Sequence, residues 1–234
     1  MASFDPGNRL ISAIDVPSAV LARALIERLD GVPSFIKIGL ELYVAEGPDL
    51  VRELTGRGHR VMLDLKLHDI PATVERAVRR VVGLGAEMVT VHIGGGRAML
   101  EAAQRATDGK VRLLGVTMLT SMDDGSAAEV GVTGPVGEVV IRRAELARDC
   151  GLFGVVASPQ EAAAIRAACP DLCIVTPGVR PSGADAGDQL RVATPGDARL
   201  AGADLLVVGR PIRDAKDPAA AARAIIAELG EAGA

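Results

Sequence analysis

Short runs rich in Val, Ile and Leu alternate eight times with longer helix-like segments, a rhythm that predicts a (β/α)8 TIM barrel. The strand-like runs are apolar almost throughout, as expected of parallel strands covered by helices. No linker, low-complexity tract or composition shift marks a second unit, so residues 1–234 are expected to form a single domain. An open doubly wound sheet, which needs no closure between its first and last strands, is the competing arrangement.

The elements follow in order. LISAIDV (10–16) reads as the first strand and 17–30 as a helix. FIKIGL (35–40) is the second strand, followed by a helix from about Gly47, with Gly56 and Gly58 as stops. RVMLDLKL (60–67) is the third, and Pro71 opens the next helix in its first turn, where a missing N–H costs nothing. MVTVHI (88–93) is the fourth, with a tight Gly-rich turn and a helix near 96–106. VRLLGVTML (111–119) is the fifth, followed by a looser region and a helix near 136–150. FGVVAS (153–158) precedes a helix at 159–168. LCIVTPGV (172–179) precedes a polar Gly-rich loop and a short helix near 195–201. DLLVVGR (204–210) is the eighth strand, and an Ala-rich helix at 218–229 closes the rhythm.

Composition narrows the function. Aromatic residues are only 2%, too few for the stacking platforms that hold single-stranded nucleic acid. A net charge of −4 leaves no broad basic field for nucleic acid or anionic membrane. An anionic small molecule would have to be held by a few local cations and backbone amides. Cys150, Cys169 and Cys173 lack framework spacing and read as small buried hydrophobes in a reduced, cytoplasmic protein, with no metal site expected among them. MASFDPGNRL lacks a signal-peptide core, and no apolar run approaches the length of a membrane span.

Barrels of this kind place their chemistry at the C-terminal strand ends. There the sequence puts Asp15, Lys37, Asp64, Lys66, Asp69, His92, Thr117, Thr120, Ser121, Ser158, Arg180, Gly209 and Arg210. The opposite strand ends are expected to carry no comparable cluster. Side chains two apart share a face, so Asp64 and Lys66 point into the barrel while Leu63, Leu65 and Leu67 face the helices. Two acids and two lysines converging on one buried position exceed what a structural ion pair needs. His59, His68, His92 and Ser158 read as structural. Gly94–Gly96 lack the spacing of a dinucleotide loop.

The run DLKLHDIPAT (64–73) resembles the signature of the orotidine 5′-phosphate decarboxylase family. The likeness continues through AID (13–15), KIG (37–39), VTMLTSM (116–122), VTPGVRPSGADAGDQLR (175–191) and VVGRPI (207–212). Ala72, where the family often has Asn, and the Gly-rich HIGGG (92–96) are local departures.

The resemblance implies decarboxylation of orotidine 5′-phosphate to UMP, the last step of de novo pyrimidine nucleotide synthesis, without metal or organic cofactor. It assigns Lys66 to stabilise and protonate a ring carbanion. Asp64 would hold Lys66 and face the substrate carboxylate, and Lys37 would bridge Asp64 and a ribose hydroxyl. Asp69 would complete an alternating array from the other subunit of a homodimer with shared sites, with Ile70 and Thr73 nearby. Asp15 would contact ribose, and Thr120 and Ser121 would approach the base or a lid. Gly209 and Arg210 would hold the phosphate, and Arg180 and Gln189 would lie on or beside the Gly-rich loop 181–188, a lid over substrate in which Gly183 and Gly187 absorb the backbone change. Two rival readings are a metal-dependent sugar-phosphate decarboxylase or aldolase-type synthase on the same barrel, and a non-catalytic nucleotide-binding barrel.

Overall fold

The computed structural model describes residues 5–180 and 193–232. A 3-10 turn, Pro6–Asn8, leads into β1 (Leu10–Ala13), α1 (Ala19–Arg28), β2 (Phe35–Gly39), α2 (Leu40–Gly56), β3 (Arg60–Leu67) and α3 (Pro71–Val82). Then come β4 (Met88–His92), α4 (Gly96–Ala106), β5 (Arg112–Val116), α5 (Asp124–Glu129), α6 (Val136–Asp149), β6 (Gly154–Val156) and α7 (Ala162–Ala168). The remainder is β7 (Cys173–Pro177), α8 (Pro195–Leu200), β8 (Leu205–Val208), α9 (Arg210–Arg213) and α10 (Pro218–Glu231). All strands pair in parallel in sequence order, and β1 pairs with β8 (Leu10 against Leu206), so the sheet is a closed barrel rather than an open one.

Local chemistry explains the helix starts. The Ser18 side chain accepts from the Leu21 amide at α1, and Asp217 accepts from Ala220 at α10. Pro71 opens α3 as its position predicts. The helix expected from about Gly47 starts instead at Leu40, directly after β2. Gly47 is the kink inside it, with φ 69°, a backbone state that favours glycine, and Pro48 starts the second segment. The looser region after β5 contains α5, held by a capping box between Asp123 and Ser126. The 159–168 segment divides into a 3-10 turn (Pro159–Glu161), capped by Ser158, and α7. Most strands stop short of their apolar runs. Asp15 then lines the mouth, while Thr117 and Ser158 are buried just past their strands.

The barrel has two apolar cores. One lies between strands and helices and includes Leu10, Leu63, Val89, Leu113 and Leu206. The other fills the lower barrel interior with Ile11, Phe35, Met62, Met88, Leu114 and Leu205. This inner plug supports the polar layer above it.

The N-terminal strand ends, expected to carry no cluster comparable to that at the mouth, hold a charged belt of their own. Arg60 donates to Glu87 at 2.7 and 2.9 Å, Arg112 donates to the same carboxylate at 3.1 Å, and Arg166 pairs with Asp204. Arg60 and Arg112 also lie over the Phe35 and Phe153 rings, at 4.3 and 4.6 Å from the centroids. These residues enter different strands, or in Arg166's case reach in from α7, and are far apart in the chain, so the belt forms only when the barrel closes.

Candidate active site

Above the inner plug the barrel opens into a cavity of about 540 Å3, a size suited to a small ligand. Asp15, Lys37, Asp64 and Lys66 line one side, and Arg180, Gly209, Arg210 and Arg213 lie across the β7 and β8 loops. Val116, Met118, Val156 and Val207 make an apolar wall, with Thr120 and Ser121 at the β5 loop.

The charges form a chain of alternating sign. Lys37 is 7% exposed, and its Nζ donates to Asp15 Oδ1 at 2.7 Å and lies 3.8 Å from Asp64 Oδ2. Lys66 Nζ donates to Asp64 Oδ1 at 2.9 Å. The order is therefore Asp15–Lys37–Asp64–Lys66, and each interior charge has an opposite neighbour, as partly buried charges require. The Lys37–Asp15 contact is shorter than the Lys37–Asp64 contact. Gly39 makes room for it: a Cβ there would stand 2.7 Å from Asp15 Oδ1 and 2.8 Å from Lys37 Nζ. Arg213 donates to the Asp15 carbonyl at 3.0 Å, fixing the loop that presents the carboxylate.

Asp64 and Lys66 do share the cavity, but not through a regular strand. Leu63 pairs with Val89 and Leu67 with Val91, so the β3–β4 register shifts between them. Lys66 has φ 49°, a left-handed conformation costing a non-glycine residue about 1–2 kcal/mol. Such bulges re-aim side chains beside active sites. Thr90, fully buried on β4, accepts from the Lys66 amide at 2.8 Å and donates to Asp64 Oδ1 at 3.0 Å. The sequence signal for Thr90 was a polar residue between Val89 and Val91, at an inward position of β4. No comparable signal marked Arg213 on the four-residue α9.

The other expected residues separate into groups. Thr120, Ser121, Arg180, Gly209 and Arg210 line the cavity. Arg180 is 6% exposed and donates to the Val179 carbonyl at 2.9 Å. Asp69 lies on the loop after β3, accepts from the Ile70 amide at 2.7 Å and does not join the cavity of its own chain. Ile70 is 67% exposed beside it, and Thr73 sits in the first turn of α3. Gln189, Gly183, Gly187 and the expected lid 181–188 lie outside the described residues.

Behind Lys66, the His68 and His92 rings stack with centroids 5.0 Å apart. The Gly94 amide donates to His92 Nδ1 at 3.1 Å, so that nitrogen carries no proton. Burial lowers the His92 pKa to about 4, helped by His68, Arg143 and Lys66. The three cysteines are free and buried, and burial pushes the Cys173 thiol up to about 12. Among the described residues, no group of three or more His, Cys, Asp or Glu side chains is arranged to hold a metal.

Fold and site together define a (β/α)8 barrel whose mouth sets alternating lysines and carboxylates beside an arginine-flanked, partly apolar cavity. The model of the orotidine 5′-phosphate decarboxylase / HUMPS family matches residues 8–225, and the chain belongs to that family. It is 51% identical over 225 residues to an orotidine 5′-phosphate decarboxylase of Anaeromyxobacter sp. (strain K), covering 96% of this chain and 99% of the relative. It is 52% identical over 229 residues to one of Halorhodospira halophila (strain DSM 244 / SL1), covering 96% of this chain and 97% of the relative. The crystal structure of orotidine 5′-phosphate decarboxylase from Lactobacillus acidophilus superposes with a TM-score of 0.84 at 35% identity, covering 94% of this chain and 98% of that one.

Proposed function

We infer that the chain decarboxylates orotidine 5′-phosphate to UMP and CO2, the last step of de novo pyrimidine nucleotide synthesis. The observation that carries the reading is the Asp15–Lys37–Asp64–Lys66 chain at the mouth of a barrel of this family. Breaking the ring-carbon–carboxylate bond leaves its electron pair on that carbon as CO2 departs. A fixed positive charge must meet that pair. The Lys66 ammonium supplies the charge and then its proton, becoming an amine that solvent protonates again. Asp64 holds the ammonium in place and faces the substrate carboxylate, while Lys37 and Asp15 reach the ribose hydroxyls. Arg210 and the Gly209 amide take the phosphate, and Arg180 and Gln189 contact the substrate from the loop after β7. Thr120 and Ser121 approach the base. No metal or organic cofactor enters the reaction.

The working unit is a homodimer with shared sites, in which Asp69, Ile70 and Thr73 of one subunit complete the site of the other. Exposed apolar side chains support it: Val20, Leu40, Val44 and Ile70 stand near the starts of α1, α2 and α3, around the barrel mouth. The buried free thiols fit a cytoplasmic setting.

The test is an ultraviolet assay of orotidine 5′-phosphate consumption in the presence of chelator. Wild-type protein turns over, and Lys66→Ala loses at least about 10^4-fold in kcat/KM while remaining folded, because both the charge and the proton donor are gone. Turnover by Lys66→Ala at the wild-type rate refutes the assignment. Loss of wild-type turnover in chelator points to the metal-dependent sugar-phosphate chemistry instead. Mixing Lys66→Ala with Asp69→Ala subunits restores some activity if sites are shared, and no recovery after verified exchange refutes the dimer.

A further inference from the structure

Three residues of β3 (Asp64, Leu65 and Lys66) stand against Thr90 alone on β4, between the Leu63–Val89 and Leu67–Val91 pairs. The ladder therefore leaves the Lys66 amide without a strand partner, at the residue whose backbone is left-handed. A hydroxyl has one proton, so its two contacts have fixed directions. Thr90 Oγ1 accepts from the Lys66 N–H at 2.8 Å and must therefore give its proton to Asp64 Oδ1 at 3.0 Å. That oxygen also receives the Lys66 ammonium at 2.9 Å. One buried hydroxyl thus ties together the backbone of Lys66, the carboxylate beside it and, through that carboxylate, its ammonium.

We propose that Thr90 is a positioning residue: its hydroxyl closes the β3 bulge and sets where Lys66 Nζ stands relative to the reacting carbon. Thr90 is fully buried and does not line the cavity, so it acts through Asp64 and Lys66 and not on substrate. Without the hydroxyl, the Lys66 amide loses its acceptor and Asp64 Oδ1 loses one of two donors. The backbone can then relax towards the extended form, which carries the ammonium off its line. Ground-state binding depends on the arginines and the ribose-facing pair, which Thr90 does not touch. The loss therefore falls on kcat.

The proposal rests on the decarboxylase reading, so its test includes a measurement independent of turnover. Thr90→Val keeps the shape and removes the hydroxyl, and Thr90→Ser restores the hydroxyl without the methyl. Thr90→Val is expected to lower kcat for orotidine 5′-phosphate by about 100-fold, the scale of a misplacement of about 1 Å. KM and UMP affinity stay close to wild type, and Thr90→Ser keeps most of kcat. A crystal structure of Thr90→Val should show Lys66 out of the left-handed region and its Nζ displaced from Asp64. Should Thr90→Val fail to fold, Thr90→Ala carries the same expectations. Wild-type kcat in Thr90→Val, a Thr90→Ser variant as slow as Thr90→Val, or an unmoved Lys66 in the variant structure overturns the proposal. If wild-type protein is itself inactive on orotidine 5′-phosphate, the functional reading fails, and the variant structure alone decides the positioning role.

Discussion

Lowering the pH from 7 to 5 should cost the fold about 2 kcal/mol through His92 alone. Burial, the stacked His68 ring and the nearby cations Arg143 and Lys66 bring its pKa from 6.5 to about 4. An unfolded chain takes up this proton near 6.5, and the folded protein refuses it until about 4. The unfolded state thus binds more protons across that window, and stability falls as pH falls. The contribution is fully present above 6.5 and is exhausted below about 4. At roughly 1.4 kcal/mol per pH unit the whole window is worth about 3 kcal/mol, of which about 2 is lost by pH 5. Glu87, whose pKa is lowered chiefly by its hydrogen bonds from Arg60, adds its own loss only below its ordinary value of 4.5. The interval from pH 7 to 5 therefore isolates the imidazole. Urea denaturation across that interval gives the slope, and His92→Asn, which keeps an acceptor for the Gly94 amide, should remove most of it. Equal slopes in the two proteins would refute the assignment to His92.

Two substitutions separate the two ends of the barrel. Gly39→Ala forces a methyl to within 3 Å of both Asp15 Oδ1 and Lys37 Nζ. It should part that pair and lower kcat/KM by about 100-fold, with the unfolding midpoint little changed. Asp204→Ala removes the carboxylate partner of the Arg166 guanidinium, leaving it only backbone carbonyls, and takes the side-chain acceptor from the Ile174 amide. It should destabilise by about 3 kcal/mol in urea titration and leave steady-state kinetics at permissive temperature as they were.

The barrel was legible because most strand runs are apolar almost throughout and are followed by helix signals at βα spacing. Pro71, for example, marks the start of α3 to the residue. Strand ends were less legible. Composition stays apolar past the last ladder pair, so Thr117–Leu119 read as strand although β5 ends at Val116. For the site, period-2 parity placed Asp64 and Lys66 in the cavity, yet the strand reaches that result through a bulge with Lys66 left-handed. Parity sees which face a residue shares and is blind to an irregular ladder. The pairing of Lys37 with Asp15 and the belt of Arg60, Glu87 and Arg112 join residues more than twenty positions apart. Contacts of that kind exist only after closure and leave no local trace in a sequence.

The apolar plug of Phe35, Met62, Met88 and Leu114 has a bearing on traffic. Among the described residues, a vessel stoppered from below opens at its mouth. Nucleotide and departing gas must pass through that same opening in succession. Any molecule that settles across that mouth therefore halts entry and exit at one stroke.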